Sequence, residues 1–151
     1  MNIKIMSREE IEKLIANGFP ENVAVISFRD TDDNSEIEFN GLPKYLFEIK
    51  IDDIEFDELD ELGLGVDTYF PEAEMLAQFI KEAVVQNMSI ICQCEYGQSR
   101  SAACAAAILE VFEGKGISIF SDYRYYPNKL IYNKLYVKLK DIVSKKEKKY
   151  E

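Results

Sequence analysis

Apolar and polar positions follow two periods along this chain, one of strands and one of helices. Ile3 to Met6 fits a short strand. Ser7, with Glu10 three residues later, is a capping-box signature for a helix carrying Ile11, Leu14 and Ile15 and ending near Gly18. NVAVISF (22–28) reads as a compact apolar strand, and YLFEIKI (45–51) reads as another after the polar stretch RDTDDNSEIEFNGLPK. An acidic, glycine-containing loop then leads to Pro71, placed at the start of a helix whose apolar period is EAEMLAQFIKEAV. MSIICQ (88–93) reads as a buried strand and SAACAAAILEVFEG (101–114) as a helix stopped by glycine. A last helix runs from about Asn128 to Val143. This alternation predicts an α/β fold: a single domain over 1–151 with a central, mainly parallel sheet flanked by helices. The lysine-rich end, 145–151, is expected to fray.

Composition narrows the function. The 151 residues suffice for one substantial core, and 47% hydrophobic with 30% charged residues is a globular balance. Acids outnumber bases 28 to 18, for a net charge of −10. That field opposes broad contact with nucleic acid or an anionic membrane, so neither is expected as a partner. The charge is uneven, with 124–151 holding nine bases against three acids. There is no histidine, which removes Ser-His-Asp and Cys-His catalysis and histidine-ligated zinc. Cys92, Cys94 and Cys104 form a poor disulfide framework and a poor zinc set, so neither a metal nor another cofactor is expected. With no apolar run long enough for a signal peptide or a membrane span, the sequence predicts a soluble, cytoplasmic monomer.

Between the strand MSIICQ and the helix SAACAAAILE lies Cys94-Glu95-Tyr96-Gly97-Gln98-Ser99-Arg100-Ser101. A short loop that delivers a strand to a helix N-terminus can turn its backbone N–H groups toward one point, where the helix dipole adds positive potential. Gly97 supplies the dihedral freedom a tight curl needs. Arg100 offers a planar fork suited to two phosphate oxygens, reaching over the rim. The same field favours a thiolate at Cys94, a nucleophile set beneath a bound phosphate. The Ser101 hydroxyl can donate to that sulfur and can also cap the helix.

C-x-x-G-x-x-R-S, as it stands from Cys94 to Ser101, resembles the signature of the cysteine-dependent protein tyrosine and dual-specificity phosphatases. Size and strand–loop–helix context resemble the compact dual-specificity branch. The resemblance implies metal-independent hydrolysis of phosphotyrosine, with phosphoserine and phosphothreonine open, through a phosphocysteine. It implies Cys94 as nucleophile, Arg100 as phosphate clamp, Ser101 as thiolate stabiliser, and the amides of Glu95, Tyr96, Gly97, Gln98, Ser99 and Arg100 as the phosphate cradle. Gln93 stands where the family usually has a histidine that supports the loop, a task a carboxamide can share.

The family's general acid follows the strand that precedes the helix before the signature. Here the candidates are Asp52, Asp53, Asp57, Asp60 and Asp67. Period-2 continuation of Phe47, Ile49 and Ile51 puts Asp53 on their face and Asp52 on the other, so Asp53 is preferred. Cys92 and Cys104 read as core residues, with a reversible disulfide from either to Cys94 as the alternative. Tyr125 or Tyr126 could line the cleft. The expected partner is a phosphorylated protein or peptide, with a small-molecule phosphate open. The competing function is a catalytically weak module that recognises phosphoproteins.

Overall fold

The computed structural model describes residues 1–40 and 43–149, with side chains up to residue 145. The elements run β1 (Ile3–Met6), α1 (Arg8–Asn17), β2 (Val23–Arg29), β3 (Tyr45–Lys50), α2 (Phe56–Glu61), α3 (Ala73–Val85), β4 (Ser89–Gln93), α4 (Arg100–Glu113), α5 (Ile117–Phe120) and α6 (Lys129–Lys149). The strands form one parallel sheet in the order β1-β4-β2-β3. Parallel neighbours need crossovers, which place helices on the faces. The α/β expectation therefore holds.

Burial alternates along the strands and sorts the core into two layers. Ala24, Ile26 and Phe28 of β2, with Ile90 and Cys92 of β4, face a large cluster shared with α3, α4 and α6. Val23, Val25 and Ile91 point the other way, onto Ile11 of α1 and onto Ile37 and Phe39. α4 is buried throughout Arg100–Ile108. Its run of alanines lets the helix lie close to the sheet while α6 covers it with Ile131, Leu135 and Leu139, each fully buried. Burying each of those side chains stabilises the fold by about 1.5–3 kcal/mol.

The Ser7–Glu10 box forms as expected: Ser7 Oγ accepts from Glu10 N–H and Glu10 Oε1 accepts from Ser7 N–H, both at 3.2 Å. α4 ends at Gly114 in a left-handed conformation (φ 67°), the glycine stop of the sequence.

Three expectations need correction. The acidic stretch is not all loop, because α2 forms there with Leu59 as its one buried residue. α3 begins at Ala73, two residues beyond Pro71. α6 begins one residue after Asn128 and extends past Val143. Of the end expected to fray, 150–151 lie outside the described residues, as do the side chains of 146–149. Among the described residues no helix is long and apolar enough to cross a membrane.

Candidate active site

β4 lies inside the sheet, between β1 and β2, and its carboxyl end delivers Cys94 to the crevice where open parallel sheets bind ligands. The loop that follows is pinned through backbone on both flanks. Cys94 N–H donates to Met6 O at 3.2 Å, and Arg8 N–H donates to Glu95 O at 3.1 Å. On the far side, Tyr126 N–H donates to Gln98 O at 2.8 Å and Asn128 N–H to Ser99 O at 3.2 Å. Three of the loop's carbonyls are thus turned outward. The N–H groups of residues 95–100 make no backbone hydrogen bond among the described residues, the condition that an anion-binding loop would need. Gly97 adopts φ +68°, and a Cβ there would sit 2.7 Å from Ser7 N and 2.9 Å from Met6 C. Only glycine lets the loop seat this closely against the turn between β1 and α1.

Cys94 is buried, 2% exposed, with its Sγ 3.0 Å from Ser101 Oγ. The N-cap position of α4 belongs to Ser99, so Ser101 lies inside the first turn and does not cap. Arg100 does not reach over the rim. It is buried, and its Nη1 donates to Asp30 Oδ1 and to Ile51 O, both at 2.7 Å. The guanidinium is thereby held by the residues that follow β2 and β3. Gln93 is buried beneath the loop, accepting from Ser27 Oγ and donating through Nε2 to Cys94 O at 3.0 Å. It supports the loop by hydrogen bonding, as the sequence suggested.

The candidate acids separate cleanly. Asp52 turns away and accepts from Thr31 N–H at 2.9 Å and from Thr31 Oγ1 at 2.8 Å. Asp53 faces the cleft that Cys94 and Arg100 also line. Its Oδ1 accepts from Ser99 Oγ at 2.8 Å and from Asn128 Nδ2 at 2.7 Å. Asp57, on the first turn of α2, lines the same cleft. Behind them Tyr69 donates its hydroxyl to Asp52 O at 2.6 Å. Burial pushes the Tyr69 phenol up to about 12, so it stays a donor across the neutral range.

Asn128, Asp30 and Ser27 were not singled out from sequence. Asn128 also donates to Ile54 O at 3.0 Å and accepts from Ile131 N–H at 2.9 Å, so it caps α6 while holding the acid segment. The Pro127-Asn128 pair before a helical period was the only available signal, and it announced the cap alone. Tyr125 and Tyr126 both line the cleft, whose volume is about 730 Å³. Cys92 and Cys104 are fully buried and face each other between β4 and α4, where burial and the neighbouring thiol push Cys104 well up. All three cysteines are free thiols.

No protein-family model matches the chain, and no curated protein matches it in sequence. Solved structures do match in shape. The PTP-2 phosphatase of Cydia pomonella superposes with a TM-score of 0.61 at 13% identity, over 91% of this chain and 85% of that one. Human DUSP28 gives 0.60 at 15% identity, over 95% of this chain and 94% of the other. The human tyrosine phosphatase-like serine/threonine/tyrosine-interacting protein gives 0.54 at 16%, over 95% and 86%. The chain has the protein tyrosine and dual-specificity phosphatase fold. The match runs through nearly the whole phosphatase fold, whereas the sequence resemblance covered only the loop from Cys94 to Ser101.

Proposed function

We propose that this chain is a metal-independent phosphatase that hydrolyses phosphotyrosine in proteins or peptides through a phosphocysteine. The observation that carries the reading is the set converging on one cleft: Cys94 at the mouth of α4 beside the Ser101 hydroxyl, Arg100 fixed next to it, and Asp53 across from both. A phosphoryl group in the loop accepts from the N–H groups of 95–100 and meets the positive end of the α4 dipole. The Cys94 thiolate attacks phosphorus, a P–S bond forms, and the P–O ester bond breaks. Its electron pair goes to the departing oxygen, which takes a proton from Asp53. Both hydrogen bonds to Asp53 fall on Oδ1, leaving Oδ2 to carry that proton. Water then gives its proton back to Asp53 and attacks phosphorus, and the P–S bond breaks. Ser101 donates to the thiolate as it leaves.

A recognition module that binds phosphate with little turnover is the second reading. The Asp30 carboxylate on Arg100 favours it, because that pairing offsets part of the charge available to a phosphate. Retention of a thiol, which binding does not require, favours the enzyme.

Hydrolysis of a simple aryl phosphate monoester, whose aryl group carries no charge, by the purified chain in the presence of a metal chelator decides between them. Cys94→Ser is expected to lower kcat about a thousandfold or more while vanadate or phosphate still binds. Turnover that survives the substitution, or that needs magnesium, overturns the mechanism. Asp53→Asn is expected to lower kcat about a hundredfold and to remove the pH limb set by the acid. An unchanged profile transfers that role to Asp57.

A further inference from the structure

We propose that the cleft selects phosphorylated polypeptides with lysine or arginine beside the phosphorylated residue, an inference that rests on the phosphatase reading of the site. The loop accounts for the phosphoryl group, but the cleft continues well beyond it, and its two walls differ in chemistry. One wall is the segment that starts at Asp53 and runs into α2, and it brings Glu55, Asp57 and Glu58 to the cleft. Glu58 reaches back to Glu55 N–H at 3.2 Å, an interaction that neutralises neither carboxylate. Among the described residues none of these three has a cationic partner.

The other wall is aromatic. Tyr96 stands on the loop itself, 78% exposed, and Tyr126, 72% exposed, lines the same cleft, while the Arg124 guanidinium already lies over the ring of the neighbouring Tyr125 at 5.2 Å. Large aromatic side chains left this open at a cleft mouth present ring faces to whatever enters. Ring faces and unpaired carboxylates share one preferred guest, a side-chain cation with an apolar stem. The lining holds one amine, Lys129, and one guanidinium, Arg100, which Asp30 already pairs. An acidic flank on the substrate would therefore meet three uncompensated carboxylates within a chain of net charge −10.

Each exposed contact of this kind is worth about two- to fivefold in affinity, so two of them give about tenfold discrimination. The test uses two phosphotyrosine peptides of equal length, one with arginine and lysine flanking the phosphotyrosine and one with glutamate and aspartate there. A simple aryl phosphate monoester, with no charged group beyond the phosphate, serves as a third substrate. The basic peptide is expected to have the larger kcat/KM by about tenfold at low salt, with the ratio shrinking as salt rises. In the double variant Glu55→Lys, Asp57→Lys the ratio should collapse or invert. Should that protein fold poorly, Glu55→Gln with Asp57→Asn is expected to lower the ratio, and the salt series on the unaltered chain stands alone. Equal rates for the two peptides, or a preference for the acidic one, overturn the proposal while aryl phosphate hydrolysis leaves the phosphatase reading intact. If no substrate turns over, that reading fails, and peptide binding measured by fluorescence anisotropy still tests the preference through the same ratio.

Discussion

The loop from Cys94 to Ser101 and the segment from Asp52 to Tyr69 both contribute residues to the cleft, and they are held by different means. Main-chain bonds to Met6, Arg8, Tyr126 and Asn128 fix the loop on both sides. Side chains dominate the hold on the acid segment: Ser99 and Asn128 on Asp53, Thr31 on Asp52, and the Lys134 ammonium on the carbonyls of Val66 and Tyr69. A site whose anion cradle is built from backbone keeps its shape through most substitutions, since side-chain changes leave the amides in place. A site whose acid is placed by side chains can lose that placement to a single truncation. The cradle should therefore break only where backbone is forced to move, and the acid should fail wherever a supporting side chain is cut.

The largest effect on this contrast is expected at Gly97, where the backbone cradle has one point of vulnerability. A Cβ in Gly97→Ala would lie 2.7 Å from Ser7 N, and the residue would have to hold φ +68°. The loop must move off the β1–α1 turn, which turns its amides away from a common point. We expect kcat/KM for an aryl phosphate to fall more than a hundredfold, vanadate binding to be lost, and stability to drop by about 1–3 kcal/mol. Steady-state kinetics, vanadate inhibition and thermal unfolding check it. Retained vanadate inhibition would mean that the close approach does not shape the loop.

On the other side of the cleft, Asn128→Ala removes donors to Asp53 and Ile54 O together with the α6 cap. A drop in kcat of about tenfold is expected, with about 1–2 kcal/mol of stability. Asn128→Asp separates the two roles. An aspartate can still cap α6, so most of the stability should return, but it puts a carboxylate against Asp53 and should leave kcat low. If activity recovered in step with stability, Asn128 would be a helix cap and nothing more.

The same contrast explains what could be read from the sequence. The loop is contiguous, so the chemistry proposed for it appears in eight successive letters, and the strands and α4 around it carry strong apolar periods. Asp53 was legible because strand alternation continues for two residues past Ile51 and fixes which of two neighbouring carboxylates faces the cleft. α2 was not, because six residues with one buried apolar position hold no period. Asn128, Asp30 and Ser27 were not, because each acts on a residue at least 66 positions away in the chain and shares no local pattern with it. Arg100 shows both sides of this. Its presence was readable, but its burial against Asp30 and Ile51 O follows from the meeting of β2, β3 and α4.

The smallest expected effect lies deepest behind the acid, at Tyr69. Its phenol donates to Asp52 O, and burial raises its pKa from 10.0 to about 12. A folded-state pKa above the unfolded value means that folding favours the protonated phenol. That contribution is fully present below pH 10 and is lost as pH rises through about 12. Near neutrality Tyr69→Phe should therefore cost only the hydrogen bond, about 1 kcal/mol, and change kcat a few-fold as the acid segment loosens. Between pH 10 and 12 the unaltered chain should lose stability more steeply than Tyr69→Phe, so that the two unfolding curves converge. Urea denaturation across that range, followed by circular dichroism, makes the comparison. Curves that stay parallel would show that Tyr69 braces the acid segment by packing alone, and would leave Ser99 and Asn128 as the polar supports of Asp53.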